Sequence, residues 1–275
     1  MVIIRTLIIL VLVGLILGGA AFFSYELFWK PQKLDEEDRR AKAEQPAPTP
    51  PPDFSLPDFE KAMALVKSGN TEAARTALKD FLRNHPDSTK RAEAKTALGE
   101  IHLAGIFSPV ESPDKTSYAV ARGDSLVKVA SKFKTNADLV YRASNLDSIN
   151  LQIGQKLFIP QLETAIVVNR EAGTVTLLNR GEFFKEYPAL SVKVPAGVNS
   201  TKVADKIALK GSNRVAFGHK DYAESDRWLM LGGGAVIRGQ AEGVEGPFPA
   251  GIILSQPDME EIFLLVSRGA PVTIQ

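Results

Sequence analysis

The feature that most restricts how this chain can fold is the block at residues 118–160, in which turn residues separate short apolar runs. A strand that starts at Tyr118 is followed by Gly123, which permits a tight turn, and by Asp124, which can cap a helix. Gly154 turns the chain into a final strand, which a proline ends. Between these turns, helical spacing of apolar residues predicts two short helices, the first carrying Leu126, Val129, Ala130 and Phe133 and the second Leu139, Val140 and Ala143. The block therefore predicts a small β-α-α-β module.

The same block resembles the LysM family along the whole length of that module, and we expect the domain at residues 116–161. The resemblance rests on Tyr-x-Val-x-x-Gly-Asp-Ser-Leu, which starts at Tyr118, and on Gly-Gln-x-Leu-x-Ile-Pro, which starts at Gly154. It implies a module that binds glycans containing N-acetylglucosamine, in peptidoglycan or chitin, in a shallow groove between two loops.

The resemblance also assigns the groove residues by position. The two loops are Gly123, Asp124, Ser125 and Leu126, and Leu146, Asp147, Ser148, Ile149 and Asn150. Backbone groups at the helix start can pair with acetamido groups, and Leu126 and Ile149 offer apolar contact to a sugar. Asp124 and Ser125 can also serve as helix caps, and the two roles are compatible.

The pattern of residues 164–275 predicts a mostly β domain with one late helix. Alternating apolar and polar residues form strands that glycine turns separate, first at Gly173 and then at Gly181. The helix is expected over residues 257–266 and a last strand over residues 271–274.

This segment resembles the L,D-transpeptidase (YkuD-like) catalytic domain over nearly its whole length, in the stretches IVVNREAGTVTLLNRGEFFKEYP, RWLMLGGGAVIRG and GIILSQPDMEEIFLLVSRGAPVTI. Active members carry Ile-His-Gly and Ser-His-Gly-Cys-x-Arg, whose cysteine thiolate attacks a peptide carbonyl while histidine takes the proton. At the matching positions this chain has Arg238 and Pro249 for the histidines, Gly251 for the cysteine and Ile253 for the arginine. The resemblance therefore implies a degenerate domain, a pseudoenzyme that still presents a peptide-binding cleft or a docking surface.

The absence of cysteine from the entire chain supports that interpretation. It excludes disulfides, thiolate metal sites and a cysteine nucleophile displaced to a neighbouring position. The three histidines, His85, His102 and His219, are scattered, so we expect no metal site and no cofactor. Ser255 and His219 share the C-terminal segment, but their spacing does not indicate a catalytic pair.

An uncharged run of residues extends from Thr6 to Tyr25. At about 1.5 Å per residue it would span the roughly 30 Å core of a bilayer, so we expect a transmembrane anchor over residues 1–30. Small residues at 18–21 leave a cleaved signal peptide as an alternative, and a buried helix of a soluble protein as another.

A proline-rich linker is expected over residues 31–53, because its prolines cannot propagate a helix or join a sheet interior. A spacer that holds folded modules away from a membrane is the simpler interpretation, and a proline-rich ligand for a recognition domain is the other. The cations around the apolar run favour a cytoplasmic C-terminus by the positive-inside rule.

Three amphipathic helices are expected over residues 54–108. Small residues at the contact positions, and the pattern A..L..SGN...A...L..FL..HPDS..RAEA...LGEI, resemble one and a half tetratricopeptide-like repeats. A plain helical spacer is the alternative.

The net charge of the chain argues against nucleic acid as a partner. With 33 basic and 32 acidic residues, the formal net charge of +1 gives no electrostatic drive for nucleic-acid binding. We expect a multidomain bacterial envelope protein that crosses the cytoplasmic membrane once and binds peptidoglycan. Since both modules have targets outside that membrane, we expect them in the periplasm or outside the cell, against the charge count. The alternatives are a scaffold that recruits a cell-wall protein partner, and an active peptidoglycan-modifying enzyme of unrecognised mechanism.

Overall fold

The structure is a computed structural model that describes residues 22–25, 53–112, 114–195, 197–241, 243 and 247–275. The chain divides into two compact units, residues 1–52 and 53–275. The expected anchor and linker lie outside the described residues, apart from the helical residues 22–25 and Asp53. Within the described part of the chain, no helix has the length and apolar character needed to span a membrane.

Three helices open the second unit: α1 (Leu56–Lys67), α2 (Thr71–Asn84) and α3 (Arg91–Phe107). Asn70 caps α2, since its side-chain oxygen accepts a hydrogen bond from the N–H of Ala73 at 3.3 Å. The three helices share a core of Phe59, Ala62, Ala74, Leu78, Phe81, Ala94, Leu98 and Ile101. The sequence prediction of a helical segment here is confirmed.

The last helix of this segment is apolar on two sides. Leu98 faces the helical core, whereas Leu103 and Ile106 belong to the core of the C-terminal domain. Gly99 permits a close approach, because a methyl group at this position would lie 2.9 Å from Cγ of Lys185. The helical segment is thus joined to the C-terminal domain by a shared core, whereas the sequence indicated only a repeat-like hairpin or a spacer.

The next module has the predicted β-α-α-β order, with β1 (Lys115–Ala119), α4 (Leu126–Lys132), α5 (Ala137–Ala143) and β2 (Lys156–Pro160). The two strands are antiparallel, and Tyr118 pairs with Leu157. The core cluster of this module is formed by Val120, Leu126, Val129, Ala130, Val140, Leu157 and Ile159. Their positions match the apolar spacing, which confirms the predicted fold of the module.

The C-terminal domain is a mixed sheet that closes into a barrel. Its strands are β3 (Thr164–Asn169), β4 (Thr174–Asn179), β5 (Glu182–Lys193), β6 (Ser200–Lys210), β7 (Asn213–Arg214), β8 (Asp226–Leu231), β9 (Val236–Gly239), β10 (Gly251–Leu254) and β11 (Pro271–Ile274). The strand order is β11-β3-β4-β5-β10-β9-β8-β6-β7, and the additional pairing of β11 with β6 closes the ring. The helix α6 (Gln256–Leu265) contributes Met259, Ile262, Phe263 and Leu265 to the core. A mostly β domain with one late helix is therefore confirmed.

Candidate functional site

The two loops that the sequence assigns to a glycan groove leave the same end of the β-α-α-β module. The N–H of Val120, at the start of the first loop, donates to the carbonyl of Gln155 at 2.9 Å. The N–H of Gly154, at the end of the second loop, donates to the carbonyl of Val120 at 2.8 Å. These two hydrogen bonds place the end of the second loop against the start of the first.

The first loop is held in one conformation by its own polar side chains. The Asp124 carboxylate accepts hydrogen bonds from the N–H of Ala121 and the hydroxyl of Tyr118, each at 2.8 Å. These two bonds, with the backbone bond the stronger influence, hold the pKa of Asp124 below its usual value. Gly123 has φ +86, a conformation that favours glycine, and its carbonyl accepts from Nζ of Lys128 at 2.8 Å. These hydrogen bonds favour one conformation of the loop.

The capping roles are divided differently from the sequence prediction. Ser125 is the N-cap of α4, and its Oγ accepts from the N–H of Lys128 at 3.3 Å. Asp124 lies one position earlier and fixes the loop to β1 instead of capping the helix. The capping interpretation thus describes Ser125 but is wrong for Asp124.

The Leu126 side chain, which the sequence analysis expects to contact a sugar, lies inside the module. Leu126 is 2% exposed and packs in the module core, because the first helical turn directs this side chain inward. Leu146 is half-buried against the same core. Only the backbone of Leu126 remains as a candidate for the groove.

The second loop supplies the accessible side chains. Ile149 is 48% exposed, and Asp147, Ser148 and Asn150 are also exposed. Ile153, which the sequence analysis did not select, is 73% exposed. The sequence did contain a signal for Ile153. Like Ile149, it lies in a polar loop and belongs to no helical or strand pattern, so its side chain is not expected in the core.

The positions that the family resemblance aligns with catalytic residues lie on or beside neighbouring strands of the barrel. Arg238 on β9 is in register with Ile253 on β10, and Gly251 begins β10. Pro249 precedes that strand and is exposed, whereas Ile253 is buried. The guanidinium of Arg238 lies 4.7 Å from the centre of the Trp228 ring, so it stacks on an aromatic face. The structure brings these positions together, and none of the four residues supplies a thiol or an imidazole.

Gly251 is required by its surroundings. Its φ of +123 lies in the region that favours glycine, and a Cβ there would lie 2.9 Å from Cγ1 of Val236 and 3.0 Å from its carbonyl oxygen. The space that a catalytic side chain would need is occupied by β9.

Ser255 and His219 do not form a catalytic pair. The Ser255 hydroxyl caps α6, accepting from the N–H of Asp258 at 3.2 Å and donating to its carboxylate at 2.6 Å. His219 is exposed, and its Nδ1 accepts from the N–H of Asp221 at 3.2 Å. Each side chain is therefore engaged locally.

Two lysines with shifted pKa values, the buried Lys185 and the half-buried Lys206, lie elsewhere in the barrel. Burial alone would lower the pKa of Lys185, but hydrogen bonds at 2.8 Å to both Glu100 and Glu261 raise it above its ordinary value. Burial lowers the pKa of Lys206 to about 8, and its ammonium donates to the carbonyls of Phe263 and Val266 at the end of α6. Lys185 joins α3, β5 and α6, and Lys206 fastens α6 to β6.

Comparison with known proteins identifies one family model: the LysM domain matches residues 118–160. The chain therefore contains a LysM module. No curated protein matches the chain.

Solved L,D-transpeptidases are similar to part of the chain. The L,D-transpeptidase from Mycobacterium smegmatis is 16% identical over 45% of this chain and 64% of its own, with a TM-score of 0.31. L,D-transpeptidases 1 and 3 from Mycobacterium tuberculosis are 16% and 18% identical over 44% and 45% of this chain, each with a TM-score of 0.31. The matched region spans 66% of each of these two chains, so it covers just under two thirds of all three relatives. Likeness at this level does not by itself assign a fold or an activity.

Proposed function

We propose that this chain is a noncatalytic cell-envelope protein that binds peptidoglycan glycan through the groove between the two LysM loops. The observation that carries the proposal is the LysM match over residues 118–160, combined with a fixed first loop and an exposed second loop. The ligand class is a glycan that contains N-acetylglucosamine.

The chemistry of the groove fits such a ligand. The first loop offers exposed backbone groups around Gly123 and Ser125 that its internal hydrogen bonds hold in place, so little conformational entropy is lost on binding. Ile149 and Ile153 on the second loop offer apolar surface for a sugar face or an acetyl methyl group. Asn150 adds an exposed amide beside them.

The noncatalytic assignment of the barrel rests on its side chains. The chain contains no cysteine, so the thiolate route of L,D-transpeptidases has no nucleophile. Gly251 is packed against Val236, and Arg238 is stacked on Trp228. At both positions that the resemblance aligns with catalytic residues, the residue present therefore has a packing role.

For location, we propose a single-pass anchor over residues 1–30 in the cytoplasmic membrane and a spacer over residues 31–53, with the folded unit in the periplasm or outside the cell. The uncharged run from Thr6 to Tyr25 and the LysM module support this arrangement. Alkaline phosphatase fused after Gln275 tests it. We expect an active reporter, and an inactive one in a fusion that is fully expressed would place the C-terminus in the cytoplasm.

The binding proposal is tested by co-sedimentation of the full chain with purified peptidoglycan sacculi. The test variant is Ile149→Ala, Asn150→Ala, since both side chains are exposed and their loss leaves the core intact. The matched control is Val110→Ala, an exposed aliphatic residue outside the module. We expect the parent and the control to sediment with sacculi and the double variant to remain in solution.

Failure of the parent chain to sediment would overturn the glycan-binding proposal. Equal sedimentation of the parent and the double variant would show that the chain binds sacculi at a site other than the proposed groove.

A further inference from the structure

A loop of the barrel is docked on the LysM module. This loop, residues 216–222, lies within the connection between β7 and β8. The Phe217 ring packs on the LysM core, with its centre 5.9 Å from that of Tyr141 and 5.4 Å from that of Tyr222. The Tyr222 hydroxyl donates to the carboxylate of Asp138 in α5 at 2.6 Å, and Asp138 is only 7% exposed. The loop therefore has one defined position against the module.

The base of this loop is fixed from the barrel side as well. Arg227 is 3% exposed, and its guanidinium lies 4.0 Å from the centre of the Tyr222 ring. It donates to the carbonyl of Tyr222 at 2.9 Å and forms an ion pair with Glu260 at 3.2 Å. A loop held in this way loses little entropy when it binds a ligand.

The tip of the loop lies against the second LysM loop. Gly218 lies beside Ile149, because a methyl group on Gly218 would be 3.5 Å from Cδ1 of Ile149. Ile149 is one of the two exposed isoleucines of the second LysM loop for which we propose contact with a sugar. The barrel loop is therefore an immediate neighbour of the groove margin.

The two residues after Gly218 carry hydrogen-bond donors in their side chains. His219 and Lys220 are both exposed. Since Nδ1 of His219 accepts from the N–H of Asp221, the neutral ring carries its proton on Nε2 and can donate there. Sugar hydroxyls and acetamido carbonyls accept such hydrogen bonds, as they do from a lysine ammonium.

We propose that residues 216–222 of the barrel form a third wall of the LysM groove, in which His219 and Lys220 bind sugar units beyond those held by the two LysM loops. This inference rests on the proposed function and extends it, because the ligand becomes an N-acetylglucosamine chain longer than the LysM groove alone accommodates. The barrel then contributes binding residues although it lacks a catalytic site.

The test is calorimetric titration of the full chain with N-acetylglucosamine oligomers, as the disaccharide, the tetrasaccharide and the hexasaccharide. The variant is His219→Ala, Lys220→Ala, and the matched control is Lys61→Ala, an exposed lysine on α1. We expect the double variant to bind the hexasaccharide about three- to tenfold more weakly than the parent, the effect of losing one or two hydrogen bonds. The affinity for the disaccharide should not change.

The outcomes separate the two proposals. If the parent binds the sugars and the double variant binds every length equally well, the third wall is overturned while the LysM groove stands. If the parent binds none of the oligomers, both proposals fall. If Lys61→Ala weakens binding as much as the double variant does, the effect is one of overall charge, and the third wall is again overturned.

A second measurement uses the absence of cysteine. A Lys220→Cys variant carries a single thiol, so one environment-sensitive fluorophore can be attached beside the groove. We expect its emission to change with the hexasaccharide and to remain constant with the disaccharide, while the same label at Lys61→Cys responds to neither. Equal responses at the two sites would contradict the inference.

Discussion

Gly251 and Val236 are in contact across β10 and β9, with 2.9 Å between Cγ1 of Val236 and the position that a Cβ of residue 251 would occupy. This contact means that the position aligned with a catalytic cysteine in the resembling family has no room for a side chain. The packing of two strands therefore leaves no space at position 251, and introducing a cysteine there would require β9 to move.

Gly251→Cys is expected to destabilise the barrel without creating a reactive enzyme. The positive φ and the overlap with Val236 together should lower the free energy of unfolding by about 2–5 kcal/mol. Urea denaturation measures this loss. Gly181→Ala is the matched control, because Gly181 also has a positive φ but opens onto free space, so its cost should be near 1 kcal/mol. Equal losses in the two variants would show that the contact with Val236 is unimportant.

Substitutions of Leu126 and Ile149 should have different effects, the first on stability and the second on binding. Leu126→Ala removes a buried side chain and should lower the free energy of unfolding by about 2–5 kcal/mol. Ile149→Ala should change stability by less than about 0.5 kcal/mol, since the side chain is half-exposed in a loop, while it weakens binding to sacculi. Thermal unfolding and co-sedimentation on the same samples check both statements. A stable Leu126→Ala protein with selectively lost binding would restore Leu126 as a contact residue.

Lys206 should give the protein a distinct dependence on alkaline pH. Its pKa is about 8 in the folded chain against 10.5 for an ordinary lysine, so between these values the unfolded chain binds a proton that the native chain has released. The contribution of Lys206 to the free energy of unfolding therefore increases as the pH rises from about 8 to 10.5, by at most about 3 kcal/mol.

Lys206→Met should abolish that rise. The measurement is the difference in unfolding free energy between the parent and the variant at pH 7.5 and at pH 10, with exposed Lys61→Met as control. We expect the difference to shift in favour of the parent at the higher pH, and a difference that does not vary with pH would contradict the lowered pKa.

The bond between Tyr222 and Asp138 should stabilise the docking of the two domains. Burial, together with the negative charge of Asp138, raises the pKa of Tyr222, so its hydroxyl remains a donor at neutral pH. Tyr222→Phe leaves a buried carboxylate short of one partner and should lower the unfolding free energy by about 1–3 kcal/mol. Tyr141→Phe is the control, since the Tyr141 ring packs on Phe217 at the same interface. A cost no larger than that of the control would mean that the hydrogen bond contributes nothing.

Local patterns predicted much of this structure. The glycine turns and apolar spacing of residues 118–160 indicated the whole β-α-α-β module, because each of its elements is short and its core residues are periodic. The sequence placed Leu126 on the apolar stripe of the first helix, and the structure packs it there with Val129 and Ala130; the family resemblance had also assigned its side chain to the groove.

Contacts between distant segments could not be predicted in this way. The packing of Phe217 on Tyr141 joins a loop of the barrel to α5 of the LysM module, and no local period relates the two residues. The sequence contained a weak indication that α3 packs on a second partner, because this helix carries apolar residues on more than one side. In the structure, Leu103 and Ile106 of α3 pack in the barrel core. A helix of this kind packs on two partners, but the sequence does not say which second partner it has.

The closure of the barrel by β11 has a consequence for association with other chains. This strand pairs with both β3 and β6. Until residues 271–274 have been synthesised, β3 and β6 each present an unpaired edge, which is a template for association with other chains. Proteolytic removal of these four residues therefore exposes both edges at once, so the cost would be association with other chains as well as lost stability.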